Sequence, residues 1–389
     1  PDRLTAQLHV EDLEAVRADI GVDNATFFGV SYGTKVALAY AKAHPSRTKA
    51  LLLDSVVPTD MPGALDVDSM AALRSALREI CLGGRCRGVG SDPAAGLGKL
   101  ATELDRRPIE SFLLNAKGKP IPAEIDASAL YSIVLQADFN PFIYNQLPST
   151  VSSALRGDTV QLERLFASHD AVTARWLERL FAIVNGSFES ETEQARSAAA
   201  PKPGDRVVGR DAEALAMFST TMFFATTCAD LAPPWQRGED VNGRQPAIDA
   251  AAQAIPEDQF KPFSRKTVKN NSLAAFCRGW QQSAVPPAID QGPLPNIPTL
   301  ALNGTLDLRT PVAWAERAVA GNPSPQLVKI PANGHSVIGT DLSGCALSLA
   351  KRFLIFGGTD GKCRRTQPPL PIAPKVPSSL GAVEPAAGS

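Results

Sequence analysis

No apolar run in this chain is long enough to cross a bilayer; the longest, such as Ala50-Leu51-Leu52-Leu53, reads as a buried strand. Neither sign of charge dominates, with 39 Lys and Arg against 40 Asp and Glu. That balance, with no basic cluster, excludes a nucleic-acid or membrane-surface partner on electrostatic grounds. Histidine is scarce at four residues, so imidazole chemistry has few places to sit. A zinc site is not expected, because Cys81-x4-Cys86 has the wrong spacing and His9, His44 and His169 lie away from every cysteine. No metal or cofactor is called for. The chain opens on Pro1 with no initiator Met and no secretory leader, which reads as processing or truncation.

What is present is ordinary for a globular protein: 44% hydrophobic and 20% charged residues in a chain of 389. That length fits one large domain with an insertion, or two domains. Apolar residues at helical spacing run from Leu4 to Ile20, and Asn24 to Val30 reads as a strand. Tyr32 to His44 is helical again, closed by Pro45, and Thr48 to Val56 is a second strand. This alternation predicts a parallel sheet with crossover helices.

From about Asp60 to Asp290 the alternation gives way to helical patterns, among them 67–81, 127–137, 159–183 and 211–227, with few convincing strands. Alternation returns with a strand at 297–302, a helix at 311–320, a strand at 326–330 and a helix at 341–356. The expected division is residues 1–58 and 293–366 as the two parts of one core, 59–292 as a mainly helical cap, and 367–389 as a disordered Pro- and Ala-rich tail.

The chemistry centres on Gly29-Val30-Ser31-Tyr32-Gly33, between an expected strand and an expected helix. That setting marks the nucleophile elbow of an α/β-hydrolase, with Ser31 on a strained turn near the positive end of the following helix. Small residues at 29 and 33 are expected to let strand and helix approach closely. A serine needs a base, and in this fold the order along the chain is serine, acid, histidine. His9 precedes Ser31, His44 ends the helix beyond it, and His169 lies in the insertion. His335, on a loop after a strand, remains as the base.

The acid should follow the preceding strand, where Asp307 sits; Asp54 is its rival, and Asp341 reads better as the N-cap of the last helix. The Tyr32 N–H would be one oxyanion donor. The second should come from a Gly-rich loop on an earlier strand, and none precedes Leu4, so the first strands of the fold are expected to be missing. Six cysteines form three groupings, Cys81 with Cys86, Cys228 with Cys277 and Cys345 with Cys363; spacing alone leaves fifteen connectivities open.

With these residues in hand, the chain resembles the proline iminopeptidase and tripeptidyl aminopeptidase family, in its secreted actinobacterial branch. The resemblance is carried by Asp12-Leu13-Glu14-Ala15-Val16-Arg17 leading to Gly29-Val30-Ser31-Tyr32-Gly33-Thr34, then Tyr40-Ala41 and Leu53-Asp54. It continues in Gly304-x-x-Asp307-x-x-Thr310-Pro311 with Gly334-His335, and in Cys345 through Phe353-Leu354 to Gly358 and Cys363. Cys228-Ala229-Asp230 and Cys277-x-x-Trp280 fit the same branch.

The resemblance implies a secreted serine peptidase that releases residues or short peptides from a free N-terminus, with the three cysteine groupings bridged. It implies Asp230 as an anchor for the substrate ammonium, against the plainer reading of a solvent-exposed helix-end carboxylate. Thr310 would line the same pocket, or cap the helix starting at Pro311. The family's Gly-Gly-Pro-Gly loop is absent. A carboxylesterase or lipase, and an inactive fragment without a complete oxyanion hole, are the alternatives.

Overall fold

The computed structural model describes residues 4–90, 92–114, 120–167, 220–284, 288–323 and 325–363, with 366, 368–369 and 371–373. Among the described residues six strands fall into two sheets: β1 (Ala25–Val30), β2 (Thr48–Asp54), β3 (Ile109–Leu114), β4 (Pro120–Ile125), β5 (Thr299–Gly304) and β6 (Pro325–Ile330). The larger sheet is parallel throughout, in the order β1-β2-β5-β6. Two strands separated in sequence by residues 55–298 thus lie side by side, with β2 and β5 in register from Leu51–Thr299 to Asp54–Leu302.

Burial on both faces explains the unbroken apolar character of the central strands, since parallel sheets need helices above and below. Every residue of β5 is buried, and in β2 only Lys49 is exposed. One face carries Leu51, Leu53 and Ala301 against Ala37, Leu38 and Ala41 of helix Tyr32–Ala43 and Ala315 and Val319 of helix Val312–Val319. The other carries Ala50, Leu52, Leu300 and Leu302 against Ala346, Leu349, Ala350 and Phe353 of helix Cys345–Phe356. The strand β1 has a neighbour on one side only, and its Phe28 and Val30 face outward, 55% and 36% exposed.

Between β2 and β5 the described chain is mainly helical, as expected, but it also holds an antiparallel hairpin of β3 and β4. That hairpin lacks the alternation of a half-buried strand: β4 carries Pro120 and Pro122 and is exposed along most of its length. Proline tolerates such an edge position while erasing the sequence signal. The insertion's core gathers Met70, Leu73 and Leu77 of helix Val67–Ile80, Leu97, Leu100 and Leu104 of helix Pro93–Arg106, and Leu130, Ile133 and Val134 of helix Ala127–Leu135. Leu306 and Leu308, from the loop after β5, belong to this same cluster. Burying each of those two side chains contributes about 2 kcal/mol to holding that loop against the insertion.

Several expected boundaries move. The last helix begins at Cys345 rather than 341, preceded by a separate turn of helix at Val337–Thr340. The expected helix 159–183 is seen as helix over 160–167, and 168–183 lies outside the described residues; the expected 211–227 helix is seen at Thr220–Asp230, its earlier part also outside them. Most of the tail 367–389 lies outside them as well, but Ile372 packs on the insertion core and Ala373 N–H donates to Asn145 O at 3.1 Å. One apolar side chain among the prolines is enough to dock this short piece.

Three disulfides join Cys81–Cys86, Cys228–Cys277 and Cys345–Cys363. By loop-closure entropy, the second, spanning 49 residues, contributes about 4 kcal/mol, against about 2 for the first, spanning 5. No helix among the described residues is long and apolar enough to cross a membrane.

Candidate active site

Ser31 stands between β1 and helix Tyr32–Ala43 with φ 54° and ψ −124°. A non-glycine residue at positive φ costs on the order of 1–3 kcal/mol and persists only where its surroundings hold it. Here Ser31 N–H donates to Asp54 O at 2.9 Å, and Thr34 N–H donates to Ser31 O at 2.9 Å. Its side chain makes no capping bond to the helix and stays free. The two flanking glycines are not equivalent. A Cβ on Gly29 would lie 2.5 Å from Gly33 O, whereas a Cβ on Gly33 would meet nothing within 4 Å. Close approach therefore demands a glycine at position 29 alone.

Asp307 and His335 come together, buried, on the loops after β5 and β6. His335 Nδ1 lies 3.0 Å from Asp307 Oδ2, and the two residues are 3% and 2% exposed. Asp307 Oδ1 accepts the N–H groups of Arg309 (3.0 Å) and Thr310 (2.9 Å), a local turn that fixes its rotamer. The Thr310 hydroxyl donates to Asp307 Oδ2 at 2.6 Å and lies 3.2 Å from His335 Nδ1. Burial disfavours the His335 imidazolium, yet the Asp307 carboxylate more than offsets this and holds the histidine above its ordinary value. Burial likewise pushes Asp307 up, but His335 and the Thr310 donors outweigh it and leave the carboxyl below its ordinary value.

The rival carboxylate, Asp54, closes the gap between Ser31 and this pair without touching the histidine ring. Its Oδ1 accepts Val337 N–H and its Oδ2 accepts Ile338 N–H, both at 2.9 Å, so it caps the short helix after His335. Its neighbour Ser55 accepts Ser336 N–H at 2.7 Å. The base loop is thereby drawn from β6 across the end of β5 to the end of β2, where the Asp54 carbonyl holds Ser31 N–H. No hydrogen bond joins Ser31 Oγ to His335 among the described residues; such bonds are often long in unliganded sites and tighten on substrate binding.

Other assignments change. Thr310 is 2% exposed, and Pro311 holds the N-cap position of helix Val312–Val319. Asp230 is buried rather than solvent-exposed: it accepts Ala6 N–H (3.1 Å) and the Tyr32 hydroxyl (2.8 Å), with Lys35 Nζ 3.7 Å away. It braces the residue after the nucleophile. Asp341 does accept Ala346 N–H at 2.9 Å, but Gly344 holds the N-cap position. The Tyr32 N–H, in the first turn of its helix, has no partner within it and is available as a donor.

Three supports escape the sequence reading. Asn303 accepts Val56 N–H (3.0 Å) and donates to Thr310 O (2.8 Å), bolting the acid loop to the end of β2. Glu79, from the insertion, accepts the Thr305 hydroxyl (2.7 Å) and Ala332 N–H (3.1 Å), touching the acid and base loops at once. Asp138, also from the insertion, accepts His335 N–H at its carbonyl (2.9 Å) and Arg309 N–H at Oδ2 (3.1 Å). Asn303 had a local signal, a buried polar residue directly ahead of the acid loop. Glu79 and Asp138 had none, being far from their partners in sequence.

A family model described as alpha/beta hydrolase fold matches residues 2–79, and one described as TAP-like protein matches residues 261–364. "Serine protease Hip1" of Mycobacterium tuberculosis is 47% identical over 47 residues, 12% of this chain and 9% of that protein. "Proline iminopeptidase" of Neisseria gonorrhoeae is 43% identical over 47 residues, 12% of this chain and 15% of that protein. These matches thus span only a small part of the curated relatives. MGS-M2, an alpha/beta hydrolase enzyme from a Medee basin deep-sea metagenome library, aligns with a TM-score of 0.31 at 13% identity, covering 93% of this chain and 75% of that one. The parallel sheet, the elbow and the matched segments are those of an α/β-hydrolase.

Proposed function

We propose that this α/β-hydrolase, similar over 47 residues to curated proteins named as peptidases, is a serine peptidase acting on peptides with a free N-terminus. The observation that carries the reading is the buried His335–Asp307 pair, led by Asp54 and Ser55 to the strained turn that holds Ser31. With Nδ1 held by Asp307, the His335 Nε2 is left to take the Ser31 Oγ proton. Ser31 then attacks the scissile carbonyl, and the oxyanion is received by the Tyr32 N–H. His335 returns the proton to the departing amine, and water releases the acyl group by the same steps. The described helices within 59–292 act as the cap over this site.

An oxidising, extracellular or cell-envelope location fits the three disulfides. The peptide preference is supported by the peptidase names of the relatives, since the triad alone serves esters equally well. A fluorophosphonate probe should label the folded protein at Ser31 and leave Ser31→Ala unlabelled; an unlabelled parent protein would overturn the enzyme reading. Tripeptide anilides should be turned over with higher kcat/KM than nitrophenyl esters, and the reverse order would favour an esterase.

A further inference from the structure

Asp138 lies in the turn Gln136–Asp138, between helices Ala127–Leu135 and Pro141–Ala154 of the insertion, and is 3% exposed. It touches both loops of the acid–base pair. Its carbonyl accepts His335 N–H at 2.9 Å, so closely that a Cβ on Gly334 would lie 1.9 Å from that oxygen. Its Oδ2 shares the Arg309 N–H with Asp307 Oδ1, at 3.1 and 3.0 Å. Its Oδ1 lies 3.3 Å from Arg309 Nε in an ion pair without hydrogen-bond alignment. Arg309 in turn stacks on Phe139 at 4.4 Å, and the Phe139 ring meets His335 edge-on at 5.2 Å.

We propose that Asp138 is a positioning residue for the acid–base pair, holding the two loops in register through Arg309 and the His335 backbone and placing a second carboxylate beside His335. The inference rests on His335 acting as the base for Ser31. Four charged groups surround the imidazole: Asp307 and Arg309 from the acid loop, Asp138 from the insertion, and Asp54 from the end of β2. With the three carboxylates ionised, these four groups carry two net negative charges around neutral His335, and one remains when His335 takes the serine proton. A buried site of this kind favours the imidazolium that forms during attack. Burial pushes the Asp138 carboxyl up and Arg309 opposes it, while Asp138 favours protonated His335 and Arg309 disfavours it. Seating of the insertion and assembly of the pair are therefore one event, reinforced by Leu306 and Leu308 in the insertion's core.

The test is a proton NMR titration of His335 in the full chain, its signal assigned by loss in His335→Gln and crowded by only three other histidines. Asp138→Asn should lower the His335 midpoint by roughly half to one pH unit, and Arg309→Gln should raise it by a similar amount. In parallel, the fluorophosphonate labelling rate of Asp138→Asn should fall about ten- to hundredfold at its plateau, with its pH midpoint moved down. Loosening alone would not shift the two variants in opposite directions. Midpoints that match the parent in both folded variants, or that move the same way, overturn the proposal. If Asp138→Asn does not fold, Arg309→Gln decides alone, since the Arg309 side chain is 31% exposed and tolerates replacement. A parent that is never labelled sinks the peptidase reading instead, and the titration still reports on Asp138.

Discussion

The nucleophile and the acid–base pair are built by opposite means. Ser31 is positioned mostly by its own stretch of chain: a strand end, a glycine that admits the helix backbone, and a positive φ held by Thr34 N–H and by the Asp54 carbonyl of the adjacent strand. His335 is positioned from four separate places in the chain. These are Asp307 and Thr310 of its own strand-end layer, Asp54 and Ser55 at the end of β2, Glu79 beneath the base loop, and Asp138 across the insertion. The first arrangement is strong locally and legible locally. The second is a convergence, and each member fails if a distant element shifts.

The sharpest way to break this comparison is to exchange the two carboxylates that compete for the acid's role. Asp307→Asn should lower kcat by about 10,000-fold, because the histidine loses the tautomer that leaves Nε2 free. Asp54→Asn keeps an acceptor for the base loop and should cost no more than about a hundredfold through misplacement. Steady-state turnover of a peptide anilide checks both, and equal losses would mean that Asp54 acts as an acid rather than as a cap.

The elbow side is probed by its glycines. Gly29→Ala should destabilise the fold by several kcal/mol, since its Cβ would fall 2.5 Å from a carbonyl oxygen that cannot retreat without opening the helix. Gly33→Ala should lie within about 1 kcal/mol of the parent, because its surroundings are open and helical alanine is favoured over glycine. Chemical denaturation of the two variants, with labelling of Ser31 as the functional readout, distinguishes a motif read as two equal glycines from the one seen here.

The third effect concerns the insertion. Asp66, beside the Tyr131 hydroxyl at 2.9 Å, is pushed up to about 7 by burial, with the Tyr131 and Leu273 hydrogen bonds opposing. Between about pH 4 and 7 the unfolded chain has lost this proton while the folded chain keeps it, so stability falls as pH rises through that window. Asp66→Asn should flatten this decline by roughly 4 kcal/mol in thermal or denaturant melts across that range. An unchanged slope would show that Asp66 ionises freely in the folded insertion and that the burial argument fails there.

Much of the core is legible in the amino-acid sequence. The strand–helix alternation, the Gly-x-Ser-x-Gly turn and the Ser31, Asp307, His335 order follow from local periodicity and a short motif, and the structure brings the last two residues within hydrogen-bonding distance. The β3–β4 hairpin was missed because its prolines and exposed faces remove the alternation that marks a strand. The buried partners of Thr310 and Asp230, the Asp307 carboxylate and the Tyr32 hydroxyl, leave no mark in the local sequence.

By itself, the order of residues along the chain determined which serine lies on a strained turn, that the central strands are buried on both faces, and that only one histidine follows a late strand. These are properties of neighbours in sequence, where backbone sterics and side-chain period act directly. Only the tertiary structure decided that Asp54 caps while Asp307 pairs, that Thr310 serves the acid, and that Asp138 and Glu79 from the insertion brace the base loop. Those roles depend on which buried carboxylate finds which donor once distant elements pack, and burial makes each unmatched choice costly.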